Sequence, residues 1–368
     1  MKITYPFMGT TLIYKKLFEL LGHEVVQPPR PTKRTIDLGV KYSPEFACFP
    51  YKVLLGTYIE AIETGADTIV TSGGSGPCRA GLYAEIQAKT LKRLGYQVNF
   101  IVFDDIGRDP QLFLKNLKKL HGKNSVVKTV GAIYTAYKIA CSLEKLNKFV
   151  EIQRAYEIEK GSFTKAFEKI TRRYDQEIFL SGDINKVEQE SLYLLKSIPT
   201  LQIPEKQKIR IGIVGEIYVV MESSINMNIA ETLNHLGCEV NRSMYISEWV
   251  DHNIWPKWYT AKSDAKIIRE GKRYFPLGIG GHERHNIGNI IIYKKHGYDG
   301  VIHLMPFGCL PELVTQSIMP RVSNDYEIPV LTLALDEQTG MANNLTRLEA
   351  FVELIRNLKK VNLGFAQK

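Results

Sequence analysis

The chain has 368 residues, 44% of them hydrophobic and 24% charged, with a net charge of +9. This length predicts two domains, because one compact core usually takes about 100–200 residues, and no run approaches the roughly 20 apolar residues of a membrane span, so no membrane partner is expected. The positive charge is spread along lysine-rich stretches such as LKNLKKLHGK, with no recognisable nucleic-acid-binding motif, and it reads as solvated basic surface.

The N-terminus reads as strand, turn and helix without the apolar stretch of a signal peptide, which predicts a cytoplasmic protein. KITY is a short strand, Pro6 to Thr10 a turn, and TLIYKKLFELLG an amphipathic helix stopped at Gly22. HEVVQPP follows as a strand and FPYKVLLGTYIEAIETG as a long helix. ADTIVTSGGSGPC then runs a buried strand into a glycine-rich loop, and QVNFIVF supplies another strand. Such alternation is the pattern of a doubly wound parallel sheet, so the expected fold class is α/β, with residues 1–128 as a first Rossmann-like domain. Residues 129–204 carry helical periodicity and heavy charge and read as a helical connector. From 205 to 368 the first pattern returns as a second Rossmann-like domain ending in a helix. RIGIVGEIY reads as strand and turn, SSINMNIAETLNHLG as helix and CEVNRSMYI as strand.

The halves echo each other locally. LGHEVV at Leu21 to Val26 matches LGCEVN at Leu236 to Asn241, and TGADTIVTSGGSGPC at Thr64 to Cys78 matches HGYDGVIHLMPFGC at His296 to Cys309. In the longer pair a glycine ends a helix, an aspartate precedes an apolar strand, and the loop beyond the strand delivers a cysteine. Ligands of open α/β sheets bind beyond the carboxyl ends of the strands, so two such domains face to face converge these loops on an interdomain cleft.

Five cysteines without a close pair argue against a disulfide framework. Cys78 lies in GGSGPCRAG, where Gly73, Gly74 and Gly76 let backbone amides approach a bulky anionic cofactor and Arg79 offsets its charge. Cys309 lies in MPFGCLPE, where Gly308 and two prolines fix the turn. Cys48 precedes a long helix, whose dipole favours a thiolate there. Cys141 and Cys238 read as core residues. Structural zinc sites use close C-x-x-C pairs, which are missing here, whereas soft thiolates also suit iron–sulfur clusters; three on a four-iron cube leave one iron open. A catalytic cysteine or redox dithiol is the competing reading.

Around the expected cleft, Glu216 and Glu222 in GEIYVVMESS are candidate proton carriers. His282 and His285 in GIGGHERHNIGN are candidate acid/base groups at a helix start. Glu312 reads as a helix cap and His303 as a satisfied core histidine.

Through KITYPFMGTTLIYKKLFELLGHEVV, FACFPYK, GADTIVTSGGSGPC, YDGVIHLMPFGCLPE, IPVLTLALDEQTG and NNLTRLEAFVEL, the chain resembles the cluster-bearing subunits of 2-hydroxyacyl-CoA dehydratases and benzoyl-CoA reductases, and especially their relatives called CoA protein activase or activase-related proteins. The resemblance implies Rossmann-like domains around a [4Fe-4S] cluster held by Cys48, Cys78 and Cys309. It implies an electron donor, a separate ATP-hydrolysing activator of the actin and Hsp70 superfamily, and pairing as a homodimer or with a homologous subunit. A CoA thioester or another small molecule is the implied substrate. No GxxxxGK[ST] loop is present, so the chain reads as the electron acceptor. Some relatives carry a double-cubane cluster, but six thiolates exceed the five cysteines present, which favours a single cube. The expected function is therefore the iron–sulfur component of an ATP-dependent low-potential reductase or dehydratase. A non-catalytic relay or scaffold subunit is the alternative, and a periplasmic-binding-like receptor ranks last because it leaves the cysteines unexplained.

Overall fold

The computed structural model describes residues 1–73, 78–103, 109–122, 124–178, 180, 182–253 and 257–365. The first half runs β1 (Lys2–Thr4), α1 (Leu12–Leu20), β2 (Glu24–Val25), α2 (Lys33–Tyr42), α3 (Phe49–Glu63) and β3 (Thr68–Ser72). A 3-10 turn at Arg79–Leu82 leads into α4 (Tyr83–Arg93), β4 (Asn99–Phe103) and α5 (Pro110–His121). Three helices follow, α6 (Val126–Gln153), α7 (Ser162–Glu177) and α8 (Asp183–Lys196). The second half opens with β5 (Ile209–Gly215), α9 (Ile217–Met221), α10 (Ile229–His235), β6 (Cys238–Arg242), α11 (Ile246–Asn253) and α12 (Lys257–Lys272). It closes with α13 (Glu283–Lys295), β7 (Gly300–Pro306), α14 (Leu310–Asp325), β8 (Val330–Leu335) and α15 (Met341–Phe365).

The expected α/β class is what forms. Each half builds a four-stranded, all-parallel sheet, ordered β2-β1-β3-β4 in the first and β6-β5-β7-β8 in the second. The two orders are the same order, so the local sequence echo reflects a repeated topology. In both sheets the chain direction switches between the first and third strands, where loops diverge and leave a crevice. The loop after β1 lies at one switch point, those after β5 and β7 at the other. Strand β7 is buried along its whole length, as a central parallel strand covered on both faces must be.

Two local readings differ. The helix expected over SSINMNIAETLNHLG is confined to α10, because Met227 and Asn228 adopt positive φ of 60° and 51°, so the chain turns before the helix can begin. The strand expected to run through CEVNRSMYI stops at Arg242; the Glu144 carboxylate accepts from the N–H groups of Ile246 and Ser247 at 2.8 and 3.1 Å and starts α11 instead.

The helices α6, α7 and α8 do more than connect. Ile139, Leu143 and Leu146 of α6 join Leu12 and Val53 of the first half and Ile211 and Ile213 of β5 in one continuous buried cluster. Among the described residues no helix is long and apolar enough to cross a membrane.

Candidate functional site

Cys48, Cys78 and Cys309 all occupy the residue immediately before a helical turn: Cys48 before α3, Cys78 before the 3-10 turn and Cys309 before α14. Two share a further pattern, Cys48-Phe49-Pro50 and Cys309-Leu310-Pro311, with proline in the first turn. Proline has no N–H there to leave unsatisfied and its φ is already helical, so Cys-x-Pro sets the helix start and leaves the cysteine at its amide-rich end. Cys48 and Cys309 come from different halves yet lie in one buried cluster with Tyr51, Leu55 and Tyr58. Cys78 is half-buried.

Arg79 ties the three segments together. Its Nη1 donates to the Phe46 carbonyl at 2.6 Å and its Nη2 to the Gly308 carbonyl at 2.5 Å, so one guanidinium beside Cys78 holds the backbone leading into Cys48 and into Cys309. Gly308 has φ +75°, a conformation that L side chains rarely adopt, and a Cβ there would face the Cys48 Cα at 3.8 Å.

Burial dominates the electrostatics. It pushes the Cys48 thiol up to about 11, opposed by the Tyr83 hydroxyl and the Tyr51 N–H. Burial likewise raises Cys78, opposed by the Ala80 N–H, and raises Cys309, assisted by the Glu312 and Glu216 carboxylates and opposed by the Glu312 N–H. The helix-start amides, and Arg79 beside Cys48 and Cys78, oppose burial but do not prevail, so the thiol form is favoured. A metal centre reverses that balance, since ligation favours the thiolate outright.

Glu216 acts on all three thiols. Its carboxylate accepts from the N–H groups of Tyr218 and Val219 at 3.0 and 3.1 Å, and burial, with a contribution from Glu312, pushes its carboxyl up to about 7. It reaches the site because Gly215 (φ +151°) lets β5 end tightly over β7: a Cβ there would stand 2.2 Å from the Leu304 carbonyl oxygen. Tyr83, unremarked in the sequence, is the other contributor. Its hydroxyl contacts the Cys48 sulfur, its ring packs edge-on against Tyr51 at 5.0 Å, and burial raises its hydroxyl pKa, as do Cys48, Glu216 and Cys78.

Among the described residues no group of three or more His, Cys, Asp or Glu is arranged to hold a metal ion. One tetrahedral ion draws its thiolates to within about 4 Å of each other, given Zn–S of about 2.3 Å. A cluster accepts wider spacing, because each thiolate takes a different iron. The donor set here is three thiols on three helix starts, soft donors of the type a cluster uses, with an arginine bonded to two of the segments.

Residues 6–71 match a family model described as a CoA enzyme activase uncharacterised domain. No curated protein matches the chain. The activase match takes in the turn after β1, helices α1 to α3, Cys48 and most of β3. It ends before the loop that carries Cys78.

The remaining candidates divide. Glu222 is buried at the contact between the first-turn loops, bonded to the Ser224 N–H and hydroxyl at 2.9 and 2.7 Å and approached by the Gly9 N–H, so it ties the loops together. His282 and His285 begin α13, half-buried, with ring centres 6.2 Å apart, while Glu283 between them acts on Cys78 and accepts from the Ile279 and Gly281 N–H groups. Gly73 extends the sheet by donating its N–H to the Phe103 carbonyl at 2.9 Å, and Gly74 and Gly76 lie outside the described residues.

Glu312 differs from its expected capping role. Its side chain turns inward, contacts His303 Nε2 at 2.8 Å and accepts from Asn286 Nδ2 at 2.8 and 3.0 Å, while the Asn286 Oδ1 accepts from the Gly215 N–H. His303 is the satisfied core histidine expected, with Thr332 on its other nitrogen at 3.1 Å. Cys238 in β6 is the fully buried core residue expected, whereas Cys141 in α6 is only half-buried, beside Tyr137.

Proposed function

We propose that this chain is the iron–sulfur component of an ATP-dependent low-potential reductase or dehydratase system, with Cys48, Cys78 and Cys309 as ligands of a single [4Fe-4S] cluster between the two sheets. The observation that carries the reading is the joining of three cysteine-led helix starts, from both halves, by Arg79. A cluster bound there would supply one-electron chemistry with one iron left for substrate. Arg79 would offset its negative charge, Tyr83 would hold a hydroxyl against the Cys48 sulfur, and Glu216 would hold a proton near the open position. The matched activase domain supports a role beside an ATP-hydrolysing activator, which this reading takes as the electron donor. A CoA thioester is the substrate class the reading favours.

The test is anaerobic reconstitution with iron and sulfide. About four irons per chain are expected. Serine at Cys48, Cys78 or Cys309 should lower that content, and serine at Cys141 or Cys238 should leave it unchanged. Iron-free protein after reconstitution, or equal content in all five variants, refutes the assignment.

One feature favours a second reading, a relay subunit whose site is completed by a homologous partner. Phe46 is 84% exposed, and Leu82, Phe307 and Leu310 are exposed too, so apolar side chains flank all three cysteines. Such a rim suits coverage by another protein surface. Turnover by this chain alone, supplied with a strong reductant, separates a catalytic subunit from a relay.

A further inference from the structure

On the side of the molecule that carries α5 and the start of α6, the usual polarity of a surface helix is inverted. The inward positions of α6 are Thr129, Ala132, Thr135 and Ala136, whereas Val126, Val127, Val130 and Tyr134 face outward, with Val126 71% and Val127 82% exposed. Leu112 and Leu114 of α5 add to the exposed apolar surface. Three side-chain hydrogen bonds anchor the patch: Asn116 donates to the Val102 carbonyl at 2.7 Å, Asn124 to the Leu21 carbonyl at 2.7 Å, and His23 Nε2 meets the Leu120 carbonyl at 2.8 Å. Within α5 and the start of α6 its charge has one sign, the neighbouring Asp109 carboxylate being engaged in capping α5 at the Leu112 N–H. From Pro110 to Leu143 the sequence holds no aspartate or glutamate, while Lys115, Lys118, Lys119 and Lys128 stand exposed and form no ion pair among the described residues.

We infer that this face of α5 and α6 is a peripheral docking surface for an anionic lipid bilayer. Aliphatic side chains flanked by lysines are what an interfacial helix presents to a charged membrane, the apolar groups entering the headgroup boundary and the ammonium groups meeting phosphates. Charge complementarity decides among the occupants. A second copy meeting this face through a two-fold axis would set its lysines against themselves. A protein partner is disfavoured because lysine is depleted from protein interfaces, and because Ser125 to Lys128 are exposed in succession, which makes the helix start a projection instead of a groove. The inference stands independently of the cysteine site.

The experiment is flotation of the full chain with phosphatidylcholine vesicles, with and without phosphatidylserine. Binding is expected only to the vesicles containing phosphatidylserine, and it should weaken as salt is raised. Each of Lys118→Gln and Lys119→Gln should weaken it about fivefold, and each of Val126→Ser and Val127→Ser about tenfold. All four positions are exposed, so thermal melting should be unchanged and a lost interaction is not mistaken for unfolding. No flotation with phosphatidylserine vesicles, or equal flotation of all variants, overturns the inference. Retention on immobilised polyaspartate without flotation assigns the face to an acidic protein surface and overturns it as well.

Discussion

Glu216 shows how one residue answers to several parts of the chain. Its place after β5 made it a candidate in the sequence, but its influence on three thiols from both halves depends on folding. Because the folded protein holds its carboxyl at about 7, above the ordinary value of 4.5, the folded state keeps this proton more tightly than the unfolded chain. The stability linked to it is full below pH 4.5 and is lost as pH rises through about 7, an effect of about 3 kcal/mol. In iron-free protein, Glu216→Gln should flatten the fall in urea stability between pH 5 and 8 relative to wild type; parallel profiles would contradict this. Tyr83 belongs to the same scale. If the proposed cluster is present, Tyr83→Phe removes a hydrogen bond to a ligand sulfur and should move the midpoint potential to more negative values at unchanged iron content, as followed by spectroscopic redox titration. Neither composition nor spacing pointed to Tyr83, since an aromatic residue at the first position of α4 looks like any core residue until the chain folds.

Among the elements, the helix starts carry the site, and they were partly legible. Glycine and proline around Cys78 and Cys309 marked turns, while the Cys-x-Pro pattern shared by Cys48 and Cys309 went unread. Gly308→Ala tests one such start. An L residue in the left-handed region costs about 1–2 kcal/mol, so the variant should lose stability of that order in denaturant titration even though a Cβ at 3.8 Å from Cys48 meets no clash. The buried network behind α14 makes a larger claim. His303→Leu leaves the Glu312 carboxylate short of a partner in a dry interior, and a loss of about 3 kcal/mol or more is expected. A loss well under 1 kcal/mol would mean that Asn286 alone satisfies Glu312.

At the scale of the whole molecule, the two sheets and the helices between them share a core. Leu12, Val53, Leu143 and Ile211 belong to one cluster although they come from both halves and the helices between them. Unfolding should therefore be a single cooperative transition by circular dichroism and fluorescence. Residues 1–204 and 205–368, produced separately, should not reach that stability, since each would expose part of this core. Two independent transitions, or two stable fragments, would show that the halves are autonomous.

The sequence by itself determined the α/β class, the alternation that builds two parallel sheets, the repeat between the halves and the three cysteines worth following. These are encoded locally, in apolar periodicity and in glycine and proline at turns. Tertiary structure alone decided that Arg79 spans the cysteine segments, that Glu216 joins them while Glu222 ties the first-turn loops, that Glu312 turns inward to His303, and that α6 carries its valines outward. Each of these depends on which distant residue lies opposite, and that follows from how the two sheets and the helices between them pack.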